Sequence, residues 1–177
     1  MKIIARTSHL EPRTSNLELG FTLIELLIVM SIILIIMAFA VPQIVSIKKR
    51  ANETSAIQTL RTIGSAEASF NSSYPGTGYA CPLASLGGDP NAGAPSATAA
   101  QLIDPTLATS GQKSGYTFTV TCGSKITVNN QDMFTSYKVI AVPQTVGKTG
   151  DRGFCSDEDD IIKFDPTGAT NCTQSIQ

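Results

Sequence analysis

The sequence predicts an α+β fold in which one long N-terminal helix is followed by a small antiparallel sheet. Three observations support this prediction: residues 21–41 form a predominantly apolar stretch, apolar residues then recur every three to four positions to about Asn71, and apolar residues alternate with threonines from Tyr116 to Cys122. The first two patterns are typical of helices and the third of a half-buried strand. We expect the first half of the helix to be embedded in a membrane and its second half to pack on the sheet.

The apolar stretch from Phe21 to Val41 is long enough to cross a bilayer. Its only polar members are Thr22, Glu25 and Ser31, and as a helix it spans about 30 Å, the thickness of the hydrocarbon core. The alternative is an ordinary secretory signal cleaved before Val41, after an Ala-Phe-Ala pattern. We favour the membrane helix because a signal peptide has a shorter apolar region and no acid within it.

Pro42 follows this stretch, and its ring would kink or interrupt a helix that runs through it. The helical pattern resumes beyond the proline, with apolar residues at helical spacing and charged residues such as Glu53 and Glu67 on the other faces. The apolar positions are Ile57, Leu60, Ile63 and Phe70. We therefore expect an amphipathic continuation of the helix.

The remainder of the chain reads as a long loop followed by strands. Residues 74–115 are rich in Gly, Pro, Ala and Ser, so we predict mostly loop there, with one helical turn at Leu83 and Leu86. Four strands are expected to form an antiparallel meander. They cover residues 116–122, 134–142, about 152–156 and 161–165, with an acidic turn before the last.

Charge and composition exclude several classes of function. Lys and Arg total 13 against 14 Asp and Glu, so the chain lacks the basic excess that non-specific nucleic-acid binding requires. The sole histidine, His9, precedes the apolar stretch, which leaves a catalytic triad or a zinc site without an imidazole in the part that folds. The segment VGKTG at Val146–Gly150 lacks the first glycine of a phosphate-binding loop. We therefore predict that the protein is not an enzyme.

Four cysteines follow the apolar stretch: Cys81, Cys122, Cys155 and Cys172. Their spacing contains no C-x-x-C pair, which argues against metal knuckles and thioredoxin-like motifs. An even number on one side of a membrane segment is what an oxidising compartment permits. We predict two disulfides, with four free thiols as the alternative, and three pairings stay open.

The acidic run from Asp157 to Asp160 is the one candidate metal site. Oxygen ligands on a loop suit Ca²⁺, but four consecutive acids cannot all face one ion, so we favour a solvated charged turn. Binding of Ca²⁺ at Asp157, Asp159 and Asp160 is kept as the alternative, and no other cofactor is expected.

The segment GFTLIELLIVMSIILIIMAFAVP, residues 20–42, resembles the N-terminal signal of type IV pilins and type II secretion pseudopilins. In that family a prepilin peptidase cuts after the glycine, which corresponds to Gly20, and the new first residue, corresponding to Phe21, is N-methylated. Glu25 and Pro42 stand where the family carries Glu and Pro. The resemblance implies a leader at 1–20, a membrane and assembly helix at 21–41, and a pilin-like globular domain at 42–177.

The resemblance also implies a function as a structural subunit of a type IV pilus or a secretion pseudopilus. The subunit would wait in the inner membrane, with its C-terminal domain outside the cytoplasm, and would then be polymerised. Its expected partners are further copies, other pilin-like subunits, the prepilin peptidase and the inner-membrane assembly platform. The alternative is a membrane-anchored or secreted, disulfide-bonded binding module.

Two site assignments depend on this resemblance. Inserting a carboxylate in a membrane helix costs about 2.5–3.5 kcal/mol, so Glu25 needs a partner. In the family, the acid at this position pairs with the terminal amine of a neighbouring subunit. The alternative is that Glu25 snorkels to the cytoplasmic interface. Many pilins close their C-terminal region with a disulfide. This favours Cys155–Cys172, which would pin the tail to the sheet, and leaves Cys81 for Cys122.

Overall fold

The computed structural model describes residues 20–176, so His9 and all of the predicted leader except Gly20 lie outside the described part. The chain divides into two units, Met1–Ala40 and Val41–Gln177. The described residues contain three helices: α1 (Leu23–Ser73), α2 (Leu83–Leu86) and α3 (Pro105–Ser110). They also contain eight strands: β1 (Gln112–Lys113), β2 (Tyr116–Cys122), β3 (Lys125–Val128), β4 (Gln131–Phe134), β5 (Tyr137–Pro143), β6 (Gly153–Asp157), β7 (Lys163–Asp165) and β8 (Gln174–Ser175). This is the predicted α+β, pilin-like arrangement of a long N-terminal helix followed by an antiparallel sheet.

Helix α1 runs without a break through Pro42, so of the two expected effects of this proline, a kink or an interruption, the interruption does not occur. A proline removes the hydrogen bond of its own backbone nitrogen, but a helix that is already formed on both sides keeps its other bonds. The predicted continuation to about Asn71 is confirmed, since the helix ends at Ser73.

The first unit exposes its apolar side chains. The large apolar side chains from Phe21 to Phe39 are between 42% and 87% exposed. Within the described residues, α1 is the one helix that is long and apolar enough to cross a membrane. Exposure of this kind is what a lipid-facing or subunit-facing helix requires.

The second unit has a single hydrophobic core between its part of α1 and the main sheet. Apolar helix positions predicted from the 3.6-residue period lie in it, as do the inward-facing residues of β2, β5 and β6. The largest fully buried apolar side chains are Tyr116, Phe70, Phe154, Leu60, Ile63, Leu86 and Val139. The amphipathic pattern of the helix is therefore explained by packing on the sheet.

The main sheet is antiparallel, with the strand order β1-β2-β5-β6-β7-β8, and β3 and β4 form a separate hairpin between β2 and β5. Asn129 and Asn130 make the turn of this hairpin with φ of +52° and +62°, as a two-residue hairpin turn of type I′ requires. The predicted single strand over 134–142 is wrong at its start. Phe134 belongs to the hairpin and exchanges backbone hydrogen bonds with Thr77 and Tyr79, and β5 begins only at Tyr137.

Helix α3 lies in the region that the sequence predicts as mostly loop. Asp104 caps it by accepting hydrogen bonds from the backbone nitrogens of Thr106 at 2.9 Å and Leu107 at 3.1 Å. Pro105 occupies its first position and Gly111, with φ +64°, ends it. These are ordinary start and stop signals of a helix. The predicted helical turn at Leu83 and Leu86 is present as α2.

Two disulfides lie in the second unit. Cys81 pairs with Cys122, which joins the loop after α1 to the end of β2, and Cys155 pairs with Cys172, which joins β6 to the C-terminal segment. No cysteine is free, so the alternative of four thiols is wrong. Closing a loop of 17 positions stabilises the fold by about 3 kcal/mol in the chain-entropy description.

Glu53 ties α1 to the connection between β5 and β6. Its Oε1 accepts hydrogen bonds from the backbone nitrogens of Asp151 at 2.9 Å and Arg152 at 3.2 Å. Its Oε2 accepts from the guanidinium of Arg152, from Nε at 2.9 Å and from Nη2 at 2.7 Å. The Glu53 side chain is only 8% exposed, so this acid is buried although it does not belong to the apolar positions of the helix. Four donors compensate for the burial of its charge.

Replacing Glu53 by alanine should lower the free energy of unfolding by about 2 kcal/mol, because two backbone donors and the Arg152 guanidinium lose their acceptor. The loss is limited because Arg152 is partly exposed and water can solvate its charge. Urea unfolding of the full chain in detergent, followed by tyrosine fluorescence, measures the change. Glu158→Ala, an exposed acid of the β6–β7 turn, is the matched control. Equal stability of the two variants would contradict the assignment.

Candidate functional site

Gly20 and Phe21 lie just before α1 and Glu25 lies in its first turn; the sequence predicts processing at the first two residues and assembly at the third. Thr22 precedes the first helical residue, and the backbone nitrogen of Glu25 donates to Thr22 Oγ1 at 3.2 Å. In return, the backbone nitrogen and Oγ1 of Thr22 donate to Glu25 Oε2 at 3.4 Å and 3.2 Å. This reciprocal pair is a capping box, which directs the carboxylate back toward the beginning of the helix.

Thr22 is the residue of this site that the pilin-like pattern does not single out. The signal that would have found it is the Thr-x-x-Glu spacing at the start of an apolar run. Hydrogen bonds from Thr22 satisfy one oxygen of Glu25, but they supply no opposite charge. Among residues 20–176, no lysine or arginine forms an ion pair with Glu25. The carboxylate can therefore accept a cation.

The bond between Gly20 and Phe21 is accessible. Phe21 is 87% exposed, and an added Cβ at Gly20 would meet no atom within 4 Å. These two residues line an open cleft of about 390 Å³ with Thr22 and Glu25. Pro42, the other predicted assembly residue besides Glu25, belongs to the second unit.

The acidic turn places its three calcium candidates against different neighbours. Asp157 Oδ2 accepts a hydrogen bond from Lys163 Nζ at 3.4 Å, whereas the carboxylate of Asp160 lies where a side chain at Gly64 would be. Asp159 is exposed. In the described part of the chain, no group of three His, Cys, Asp or Glu residues is arranged to hold a metal ion.

Glu67 is a second acid of α1 outside the predicted apolar positions, and the structure buries it. Its side chain is fully buried, its Oε2 accepts from the backbone nitrogen of Ala80 at 2.7 Å, and its Oε1 has no partner among the described residues. Burial raises the pKa of Glu67 to about 7, against the lowering effect of the Ala80 hydrogen bond. The periodicity of α1 does not predict this, because the loop that covers Glu67 comes later in the chain.

One comparison with known proteins matches the segment that contains the start of α1. A family model described as the prokaryotic N-terminal methylation motif matches residues 16–41. The match confirms the resemblance inferred from the sequence at this segment. No curated protein and no solved structure gives a significant match to the chain.

Proposed function

We propose that this chain, which carries the prepilin signal of type IV pilins and pseudopilins, is cut between Gly20 and Phe21 by a prepilin peptidase and then polymerises into a filament. The observation that carries the proposal is the motif at 16–41, whose last residues form an exposed apolar helix capped by Thr22 and Glu25. The apolar helix and the motif fit a single-pass protein anchored in the inner membrane. The role is structural, and the chain has no catalytic activity of its own.

Cleavage changes the charge at the start of the helix. The new α-amine of Phe21 lies one residue before the cap, so each mature copy carries one cation and one carboxylate at the same end of α1. N-methylation of Phe21 keeps the amine protonated. An amine of one copy is thus a partner of the right charge for Glu25 of the next.

The pairing supports polymerisation because it lowers the energy of an acid in an apolar environment. An unpaired carboxylate in a membrane helix costs about 2.5–3.5 kcal/mol, and attraction between opposite charges is strong where the dielectric constant is low. The contact joins different surfaces of two copies, so it is heterologous and grows an open filament. The exposed apolar side chains of the first unit would be buried between neighbouring helices.

The second unit functions outside the cytoplasm in this proposal. Two disulfides support this location, because disulfides persist in oxidising compartments such as the periplasm and the cell surface. They join the C-terminal segment and the loop after α1 to the sheet. Such cross-links suit a domain that is displayed on a filament and bears load.

Replacing Gly20 by valine should abolish processing, because the peptidase must accommodate the backbone at the cut and a bulky side chain would obstruct it. The substitution should not disturb the chain itself, since a Cβ at Gly20 would meet no atom within 4 Å. The measurement is the fraction of cleaved protein in membranes that contain a prepilin peptidase, read from the mass of the product. Ser31→Ala, a change in the same segment away from the cut, should be processed like the wild type. Normal cleavage of the Gly20→Val variant would contradict the proposed site.

A further inference from the structure

The second unit carries a basic segment directly beyond the apolar stretch. Lys48, Lys49 and Arg50 are consecutive, and no acid occurs between Glu25 and Glu53. Lys48 and Arg50 are exposed. Three bases precede the membrane segment, at Lys2, Arg6 and Arg13, and three follow it, so the preference for positive charge on the cytoplasmic side does not account for the second group. They therefore need an explanation other than orientation.

Apolar exposure of the helix continues past the predicted end of the membrane segment at Val41. Ile44 is 61% exposed, Val45 46% and Ile47 64%. The seven positions from Val41 to Lys48 correspond to about 10 Å of helix. The headgroup layer adds roughly 5–7 Å on each side of the hydrocarbon core, so the flexible side chain of Lys48 can reach it.

Ion pairs within the second unit leave part of the basic charge without a partner. Lys49 pairs with Asp151 at 2.8 Å, and Arg152 pairs with Glu53 at 2.7 Å. Among residues 20–176, Lys48 and Arg50 have no carboxylate within ion-pair distance. Beside them is an open cleft of about 490 Å³, lined by Ser46, Lys49, Arg50, Glu53, Asp151 and Arg152. Together with Lys48, the bases of this surface exceed its acids by two.

We propose that this basic surface, formed by Lys48, Arg50 and the adjoining cleft, binds the phosphate headgroups of anionic phospholipids in the leaflet next to the second unit. Three features favour a lipid surface: the unpaired bases, the exposed apolar helix positions that precede them, and the reach of the Lys48 side chain to the headgroup layer. The proposal depends on membrane anchoring and not on filament formation. The apolar helix anchors the subunit, and headgroup binding would hold the basic surface at the membrane until the subunit is assembled.

The test uses the full, uncleaved chain in nanodiscs of phosphatidylcholine with or without phosphatidylglycerol. Quenching of the tyrosine fluorescence of the protein by headgroup-labelled lipids measures which lipid surrounds it. Each base near an anionic surface contributes a factor of about 5, so Lys48 and Arg50 together should make the wild type prefer phosphatidylglycerol by roughly 25-fold. Lys48→Gln with Arg50→Gln should bring the preference close to one. Salt should weaken the wild-type preference.

Controls separate the proposed site from general charge effects. Lys113→Gln with Lys138→Gln removes two exposed lysines of the sheet and should keep the wild-type preference, as should Lys48→Arg with Arg50→Lys. Glu25→Gln should keep it too, even where filament assembly is lost, so failure of one proposal does not imply failure of the other.

Several results would overturn the inference. These are no preference in the wild type, and an equal preference in the Lys48→Gln, Arg50→Gln variant. A further contrary result concerns hydrogen exchange of residues 44–53. If inorganic phosphate added to neutral nanodiscs protected these residues as strongly as phosphatidylglycerol does, the surface would be a site for a free anion instead. Association of copies in neutral nanodiscs that depends on Lys48 and Arg50 would indicate that a second copy occupies the surface.

Discussion

Glu25→Gln should leave expression and membrane insertion intact and reduce the yield of sheared filament by roughly tenfold or more, in a filament of which this chain is the main component. Loss of an ion pair explains the size of the effect, since each 1.4 kcal/mol of lost interaction is a factor of about ten. Removing the acid makes membrane insertion easier. A loss of assembly could therefore not be attributed to poor insertion.

The Glu25→Gln variant separates two roles of the Glu25 side chain, which are to accept hydrogen bonds from Thr22 and to pair with an amine. Glutamine keeps an oxygen that can accept hydrogen bonds from Thr22, as Glu25 Oε2 does, but it cannot pair with an amine. Thr22→Val tests the other role, because it removes the hydroxyl and keeps the charge; we expect a smaller loss of filament from it. Ser31→Ala removes the other short polar group of the segment, whose Oγ donates to Leu27, and should assemble normally. Wild-type filament yield from Glu25→Gln would reject the pairing with the Phe21 amine.

Glu67 should make the second unit less stable as the pH rises from about 5 to 8. Burial raises the pKa of this carboxyl from 4.5 to about 7 in the folded protein. A raised pKa means that the folded state holds its proton more tightly than the unfolded state does, so the stabilisation is complete below about pH 4.5 and is lost as the pH passes through about 7. The shift corresponds to about 3 kcal/mol of unfolding free energy.

Few other groups near Glu67 titrate in this range. The pKa of Tyr137 is raised far above its usual value, mainly by burial and further by the Asp160 and Glu67 carboxylates, so its hydroxyl stays protonated. Residues 20–176 contain no histidine. Glu67 is therefore the group whose titration should dominate between pH 5 and 8.

Glu67→Gln should remove most of this pH dependence and make the protein more stable than the wild type at pH 8 by about 2–3 kcal/mol. The amide resembles the protonated acid and keeps an acceptor for the backbone nitrogen of Ala80. Urea unfolding of the full chain at several pH values measures the effect, with Glu158→Gln as the exposed control. Parallel pH profiles of the wild type and Glu67→Gln would show that Glu67 does not titrate in this range.

Much of the fold follows from local patterns. The apolar stretch, the amphipathic continuation of α1 and the alternation over Tyr116–Cys122 each depend on neighbours in sequence, and the structure has the corresponding elements. Helix α3 also has local signals, in Asp104, Pro105 and Gly111, but they stand within a region whose composition is typical of loops. Composition over a long window concealed a six-residue helix there.

The features that the sequence does not predict depend on contacts between distant segments. Glu53 and Glu67 look like solvated residues of an amphipathic helix, because their partners, Arg152 and Ala80, are brought to them only by the fold. The end of β4 at Phe134 similarly depends on pairing with the loop after α1. At the candidate site, the placement of Gly20, Phe21 and Glu25 is local, so the pattern of residues suffices to predict it.

The N-terminal residue of the membrane-bound or filament-bound protein tests the central claim most directly. Intact mass together with N-terminal sequencing, performed on protein from a host with a prepilin peptidase, identifies this residue. The account predicts that the chain begins at Phe21 and carries one methyl group on its α-amine. A chain that begins at Val41 would indicate secretory cleavage, and a chain that retains Met1 would contradict processing and the assembly mechanism that depends on it.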